Sequence, residues 1–557
     1  MAKPAHRIAE SCVARRRASG VIKTSADSTG VPLVSLSCAN MRAVTPRPSS
    51  LRTVYWVVVA ALLCGTALVY LAHAIGGLFD PFERNYTDGI SWAQAAVMFD
   101  WRAAYHPLQQ YPFLFFPYPP VYFVVLRVVG QCVPDLLIAG RLTSAISICA
   151  TCLIVGRIVA FGSSRRIPRL TRRWGALLAT LLCFQVGRSI DSVWYPHPDS
   201  LGMLLTFAGV WLYAAGIRRR ALRLSAFVVL LVALFTKQVF VAAPLACLAV
   251  SFLVDPREAL ADLAIMLGMG FTGLAVLARV TNGEFLRHAF VYNVAQPFSP
   301  DDMVREMAIN VREALPIVVL AGLAQRPLLA RCRRSLASTV TRLRAAARTS
   351  PYHRVVMLLS IQMALAFLRG ASVGKPGTDE TCFLEWNLAA VALAGLLLVR
   401  VLDRWHAGAP PRWARVPLLL LAVVVVSNIP RVGIRANDTW RITTSRQRYE
   451  EQRRANSLAV LQLIKNTPGP VLSDDAVMLM RAGKALAIEP AGLAFLSETG
   501  TWDPSPFLAM ISARGFSLIV VRDLSGEIWP RAMAPIVEQS YELTNEFGRY
   551  RVYRPRS

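Results

Sequence analysis

The feature that most constrains this chain is a succession of apolar runs, each close to the ~20 residues an α-helix needs to cross a bilayer core. The first covers 54–79, and others follow at 113–133, 139–162, 174–190, 200–217, 221–236, 238–254, 259–279, 312–330, 353–369, 384–402 and 415–430. Hydrophobic residues make up 54% of the 557 and charged residues only 17%. A soluble chain of this length would need several cores under a larger charged surface. The fold class that follows is mainly α, a polytopic transmembrane helix bundle. Ala72-His73-Ala74 imitates a signal-peptidase site, but its run is long and many spans follow, so the first run reads as a signal anchor.

Charge decides how the runs are threaded. If all of them crossed, with the N-terminus inside, the loops 163–173 and 331–354 would lie outside with five and seven arginines. The positive-inside rule forbids that pattern. The run 113–133 is preceded and opened by an aromatic, proline-broken stretch at 111–120, so it is predicted to lie along the outer interface or to re-enter. Eleven spans remain. The stretches 1–53, 163–173, 218–223, 255–258, 331–354 and 403–415 then fall inside with 29 Lys/Arg against 5 Asp/Glu, which is +24 of the net +27. The basic excess is therefore a topology signal. No basic groove with interleaved aromatics is present, which argues against a nucleic-acid partner.

Three regions follow. Residues 1–53 read as a disordered cytoplasmic leader, with Met41 as an alternative start. Residues 54–430 form the transmembrane domain, with a first outer loop at 80–138. Residues 431–557 form an extracytoplasmic soluble domain. Its 440–465 segment reads as a helix, and short strand-like runs at 471–473, 486–488, 518–521 and 550–553 suggest a small α/β domain, taken by position as a lid or acceptor-binding module. Its Asp474, Asp475 and Asp503 come with no nucleophile–base pair. Cys149 and Cys152 sit in an apolar helix and read as packing, while Cys132 and Cys382 both fall in outer loops where one bridge is conceivable. No D-x-D pair or histidine cluster with ligand spacing occurs, so no obligatory metal and no cofactor is expected.

The acidic residues near helix ends gather on the outer face. In the first outer loop, Asp80, Glu83 and Asp88 lie close to a span, where carboxylates are either solvated or functional. Asp88 precedes a short amphipathic stretch at 90–99; it is either an N-cap or a general base for an acceptor hydroxyl. His197-Pro198-Asp199-Ser200 joins two outer helix ends, where Asp199-Ser200 reads equally well as a helix cap. Lys237, followed by Gln238, joins two spans without a loop around it, so it either snorkels or meets an anion such as a lipid phosphate. Arg369 and Lys375 flank a glycine-rich loop, and Glu385 enters the next span, where an ionisable group faces the bundle interior.

At these loops the sequence resembles the GT-C superfamily of membrane glycosyltransferases, with the pattern of bacterial protein-mannosyltransferases and lipid A aminoarabinose transferases. The matching pieces are Asn85-Tyr86-Thr87-Asp88-Gly89, Tyr118-Pro119-Pro120-Val121-Tyr122-Phe123, His197-Pro198-Asp199-Ser200-Leu201-Gly202, Thr236-Lys237-Gln238 and Phe383-Leu384-Glu385, in family order across about half the chain. The resemblance implies a hexosyl- or pentosyltransferase using a polyprenyl-phosphate-linked sugar donor and an envelope lipid, glycan or protein acceptor. It implies that Asp88 is the base and Lys237 the carrier-phosphate contact. Relatives often have two adjacent acids where this chain has Thr87-Asp88, and some have Glu-Lys where it has Tyr118-Pro119; Glu83 and Lys375 are the substitutes within reach. Tyr118, His197, Asp199, Gln238, Arg369 and Glu385 complete the expected substrate-binding set. A transporter or flippase is the alternative from another class, but it is disfavoured because no internal repeat is evident and the acids cluster at one face. A lipid-linked glycan polymerase or ligase would call for a long outer loop late in the chain, whereas here the first outer loop is the rich one.

Overall fold

The computed structural model describes residues 50–331, 336–407, 412–440, 447–524 and 528–557. The leader expected at 1–53, including Met41, lies outside the described residues up to position 49. From position 50 the chain is a multi-pass membrane helix bundle capped by a small α/β unit.

Each of the eleven predicted spans falls on helix, but they are not equivalent. Among the described residues, seven helices are long and apolar enough to cross a membrane, and an eighth is counted if a pair bent by 98° at 185–187 is one span. The eleven expected spans therefore comprise long helices and shorter ones. Pro198–Gly216, Arg220–Thr236 and Ala242–Val254 have 19, 17 and 13 residues. Pro198–Gly216 begins directly after His197 and Arg220–Thr236 ends directly before Lys237, so these two helix ends are where the polar motifs sit. Val121–Cys132 has only 12 residues, roughly 18 Å at 1.5 Å per residue, well short of the ~30 Å core.

Leu384–His406 is the hub. Its spanning window is wholly buried, consistent with a helix apolar on every side. Arg169–Leu182, Leu136–Gly162, Pro300–Leu329 and Pro351–Arg369 pack around it. Small residues let these helices approach. A Cβ on Gly175 would stand 2.1 Å from a methyl of Val399.

The tail carries a four-stranded sheet of β1 (Val471–Ser473), β2 (Leu518–Val521), β3 (Tyr541–Phe547) and β4 (Tyr550–Pro555), in the order β1-β2-β4-β3. β1 runs parallel to β2, and the β2–β4 and β3–β4 pairs are antiparallel. β3 is not evident in the sequence because its residues between Tyr541 and Phe547 are exposed. The helix expected at 440–465 is observed as Gln447–Asn466, preceded by a separate helix, Ile429–Trp440, that continues the last span.

The 486–488 segment is no strand of this sheet. Ile488 instead makes a parallel bridge to Phe113 of the first outer loop, with Phe113 N–H donating to Ala487 O and Glu489 N–H to Phe113 O, both at 2.8 Å. Side chains of 113–116 alternate as in a strand. Phe113 and Phe115 enter a cluster with Leu472, Ile519 and Trp502, while Leu114 and Phe116 enter another with Val471, Val520 and Val460. The aromatic stretch expected at the membrane interface is thus threaded through the core of the tail. The first outer loop and the tail are one packed unit, not a bundle with a separate lid.

Candidate functional site

The helix Tyr86–Val97 is capped by Asn85, whose side chain accepts the Thr87 N–H at 3.0 Å. Asp88 is therefore not the N-cap; it lies in the first turn and is fully buried. Its Oδ2 accepts from Arg141 Nη2 at 2.5 Å and from the Arg84 N–H at 3.0 Å. Its Oδ1 has no partner. Arg141 stands near the start of Leu136–Gly162 and also donates to the carbonyls of Gly77 (3.0 Å), Asp80 (2.5 Å) and Phe82 (2.9 Å). One guanidinium thus ties the loop 77–82 to Asp88. Burial pushes the Asp88 carboxyl above its ordinary value, against the pull of Arg141, which makes it the stronger base. Gly89 is required beside it, because a Cβ there would stand 2.7 Å from Ala476 Cβ.

Asp80 and Glu83 are not solvated. Asp80 accepts from Arg453 at 2.8 Å, and Glu83 Oε1 accepts from Arg522 Nη1 at 2.5 Å while its Oε2 has no partner. Arg522 also holds Asp474, with Nε 3.3 Å from Oδ2. Burial, and then the charge of Asp475, push the Glu83 carboxyl well up against Arg522.

Tyr86 donates to Glu489 Oε1 at 2.5 Å, and burial lifts Glu489 from 4.5 to about 7. Between those values the folded protein keeps a proton that the unfolded chain has lost, so this group's contribution to stability falls as pH rises and is constant above about 7. Thermal unfolding across that window should show a shallower pH slope in Glu489→Gln than in the unsubstituted protein. An unchanged slope would assign it to other groups.

The second constellation gathers at the interrupted helices. His197 caps Pro198–Gly216, so the cap expected of Asp199-Ser200 is supplied by its neighbour. Asp199 is freed to accept from Lys237 Nζ at 2.6 Å, with His197 Nδ1 against the same oxygen; Asp199 Oδ1 is buried without a partner. Lys237 is only 9% exposed, so it does not snorkel. Its ammonium lies 4.8 Å from the Tyr118 ring centroid, close enough for a cation–π contact, and that ring is 6.3 Å from His197. Gln238 Nε2 donates to Pro117 O (3.0 Å) and Ala289 O (2.9 Å), leaving its Oε1 unpartnered. An apolar groove enclosing about 230 Å³ runs between Arg220–Thr236 and Pro256–Val280 past Leu231, Phe235, Met266 and Phe271, and reaches Pro119 and Gln238.

The two constellations meet at one loop. Ser91 Oγ, on the Asp88 helix, donates to Pro196 O at 3.0 Å, and the His197 N–H donates to Ser144 Oγ at 3.4 Å. Arg369 lies close by, donating to Cys382 O, with Nε 4.0 Å from Glu385 Oε2. Glu385 is buried and accepts from Gln362 at 3.0 Å. Lys375 stands apart: its ammonium donates to Asn293 O at 2.9 Å and shares no hydrogen bond or ion pair with the Lys237 group. Cys132 and Cys382 are both free thiols, the first exposed and the second buried, so the conceivable bridge is not made. Among the described residues, no three His, Cys, Asp or Glu side chains gather as a metal site.

Sequence reasoning missed Arg141, Arg522 and Glu489. Arg141 carried a usable signal, an ionisable residue inside an apolar run. Arg522 and Glu489 did not, because their partners are more than 400 positions away.

No family model matches the sequence, and no curated protein matches it significantly. Solved structures do match the fold. ArnT from Cupriavidus metallidurans bound to undecaprenyl phosphate aligns with a TM-score of 0.55 at 15% identity, covering 89% of this chain and 97% of that one. Its apo state gives 0.53 at 15% identity, covering 90% and 98%. An Archaeoglobus fulgidus oligosaccharyltransferase tethered with an acceptor peptide gives 0.42 at 11% identity, covering 91% and 75%. The fold of this chain is that of the Cupriavidus metallidurans structures, matched over about nine-tenths of its length.

Proposed function

We propose that this chain is a glycosyltransferase that moves a hexose or pentose from a polyprenyl-phosphate donor to an envelope lipid, glycan or protein acceptor, on the extracytoplasmic face of the inner membrane. The observation that carries the reading is the groove between Arg220–Thr236 and Pro256–Val280, apolar along its length and reaching Gln238, the residue that follows Lys237 in the chain. A polyprenyl chain with a phosphate head matches the apolar groove and the Lys237 ammonium. The shared fold with a structure bound to undecaprenyl phosphate supports the same donor class.

In the proposed reaction the acceptor hydroxyl oxygen attacks the anomeric carbon. The new C–O bond forms as the bond from that carbon to the phosphate oxygen breaks, and the electron pair leaves with the polyprenyl phosphate. The hydroxyl proton passes to Oδ1 of Asp88, the oxygen that Arg141 and Arg84 leave unoccupied. Lys237, with Arg369 near it, opposes the charge that develops on the phosphate.

Mass spectrometry of envelope lipids, glycans and proteins from a deletion strain should show one sugar increment lost and restored by complementation. An envelope unchanged in every class would overturn the proposal. Orientation is tested separately. Reporter fusions after 170, 222 and 345 should report the cytoplasm, and those after 295, 376 and 440 the outer compartment, because the basic loops carry +24 of the net +27. An external signal at 345 would reverse the assignment.

A further inference from the structure

The tail from 447 onward looks, by position, like an accessory domain, yet four of its side chains converge on the eight residues, 80–87, that precede Asp88. Arg453 takes Asp80 at 2.8 Å, Arg481 donates to Pro81 O, Arg522 takes Glu83 at 2.5 Å, and Glu489 accepts from Tyr86 at 2.5 Å. On the other side of Asp88, Gly89 lies directly against Ala476 and Val477. Asp88 is thus clasped on both flanks by the tail and from below by Arg141.

Of the two ion pairs among these contacts, Arg522–Glu83 is shorter than Arg453–Asp80 and its carboxylate is the more deeply buried. Glu83 is 3% exposed, and Arg522 is fixed in turn by Asp474 through its side-chain Nε, its own backbone N–H, and a 2.8 Å bond from Nη2 to Asp474 O. Asp474 follows directly on β1 and Arg522 directly on β2, two parallel neighbours of the sheet. The C-terminal ends of these two strands therefore present a guanidinium to the loop that carries the base.

We propose that Arg522, gripping Glu83 from the C-terminal end of β2, is a positioning residue that sets the place of Asp88 in the reaction, so that the tail completes the active site. The inference rests on Asp88 being the base. Glu83 then has no proton to move; it is the handle by which the sheet holds the loop. Misplacement of a reacting group by about 1 Å can cost on the order of 100-fold, whereas donor binding at Lys237 lies on other elements.

The test measures turnover and donor affinity in membrane-reconstituted full-length protein for Arg522→Met, Arg522→Lys, Glu83→Gln, Asp88→Asn and the Arg522→Met/Asp88→Asn pair. Arg522→Met should lower kcat by about 10- to 100-fold with donor affinity unchanged. Arg522→Lys should recover part of that loss. Glu83→Gln breaks the same charge pair from the loop side and should reproduce it, which guards against a misfolded Arg522→Met. The pair should be little worse than Asp88→Asn alone, since no base is left to place. Normal kcat in Glu83→Gln and Arg522→Met, with Asp88→Asn impaired, overturns the positioning role and leaves the base intact. Full activity in Asp88→Asn overturns the base itself.

Discussion

Asp88→Asn should lower turnover by roughly 10²–10⁴-fold, the usual contribution of a positioned general base, while protein level and donor affinity hold. Asparagine can present its carbonyl oxygen to Arg141 and to the Arg84 N–H, so the contacts of Oδ2 survive. At the Oδ1 position it places an NH₂, which cannot accept a proton. The fold should tolerate the change, because Arg141 keeps three carbonyl acceptors at 2.5–3.0 Å. A loss confined to kcat, with substrate binding retained, is the signature of a role in the transition state. Glu83→Gln provides the control and should be the milder of the two. Near-normal turnover in Asp88→Asn together with a dead Glu83→Gln would move the base to Glu83, which also has a buried, unpartnered oxygen.

The bundle was legible because its signal is local: apolar length and loop charge can be read one segment at a time. The interrupted helices were less so. Pro198–Gly216, Arg220–Thr236 and Ala242–Val254 read as ordinary spans, since hydropathy does not report that a helix stops short to seat His197 or Lys237. The stretch 111–120 was correctly unlike a span, but its partner was hidden. Alternation at 113–116 matches a strand, and what it pairs with lies about 375 positions later, at Ile488. A parallel contact over that distance leaves no mark in either segment alone.

The site divides along the same line. Motifs within one loop, such as Asn85 to Gly89 or His197 to Asp199, could be read locally, and in the structure Asn85 and His197 are the residues that cap their helices. Asp199 and Lys237 were singled out separately, yet their ion pair spans 38 positions and was not foreseen. Arg522 looked like any tail arginine until the sheet placed it against Glu83. Residues whose chemistry depends on a distant partner stay silent in a sequence read without relatives.

Lys237→Met keeps the aliphatic stem and drops the charge. Because the ammonium is paired with Asp199, the substitution acts on both residues. Asp199 is 1% exposed and its Oδ1 already lacks a partner, so removing the ammonium leaves a buried carboxylate against His197 alone. Breaking a buried pair by deleting one member costs ~3–5 kcal/mol, so Lys237→Met should be strongly destabilised, with a lower melting temperature in detergent. The double variant Lys237→Met/Asp199→Asn removes both charges and should regain much of that stability. It should not regain donor binding: a charge-assisted contact to phosphate in a partly dry site exceeds the ~0–1 kcal/mol of an exposed pair, and ~1.4 kcal/mol is already tenfold in affinity. Affinity for a polyprenyl phosphate, measured on the double variant with its fold verified by melting, should therefore fall tenfold or more. A stable double variant that binds polyprenyl phosphate as tightly as the unsubstituted protein would reduce Lys237 to a structural partner of Asp199, and the phosphate would need another cation.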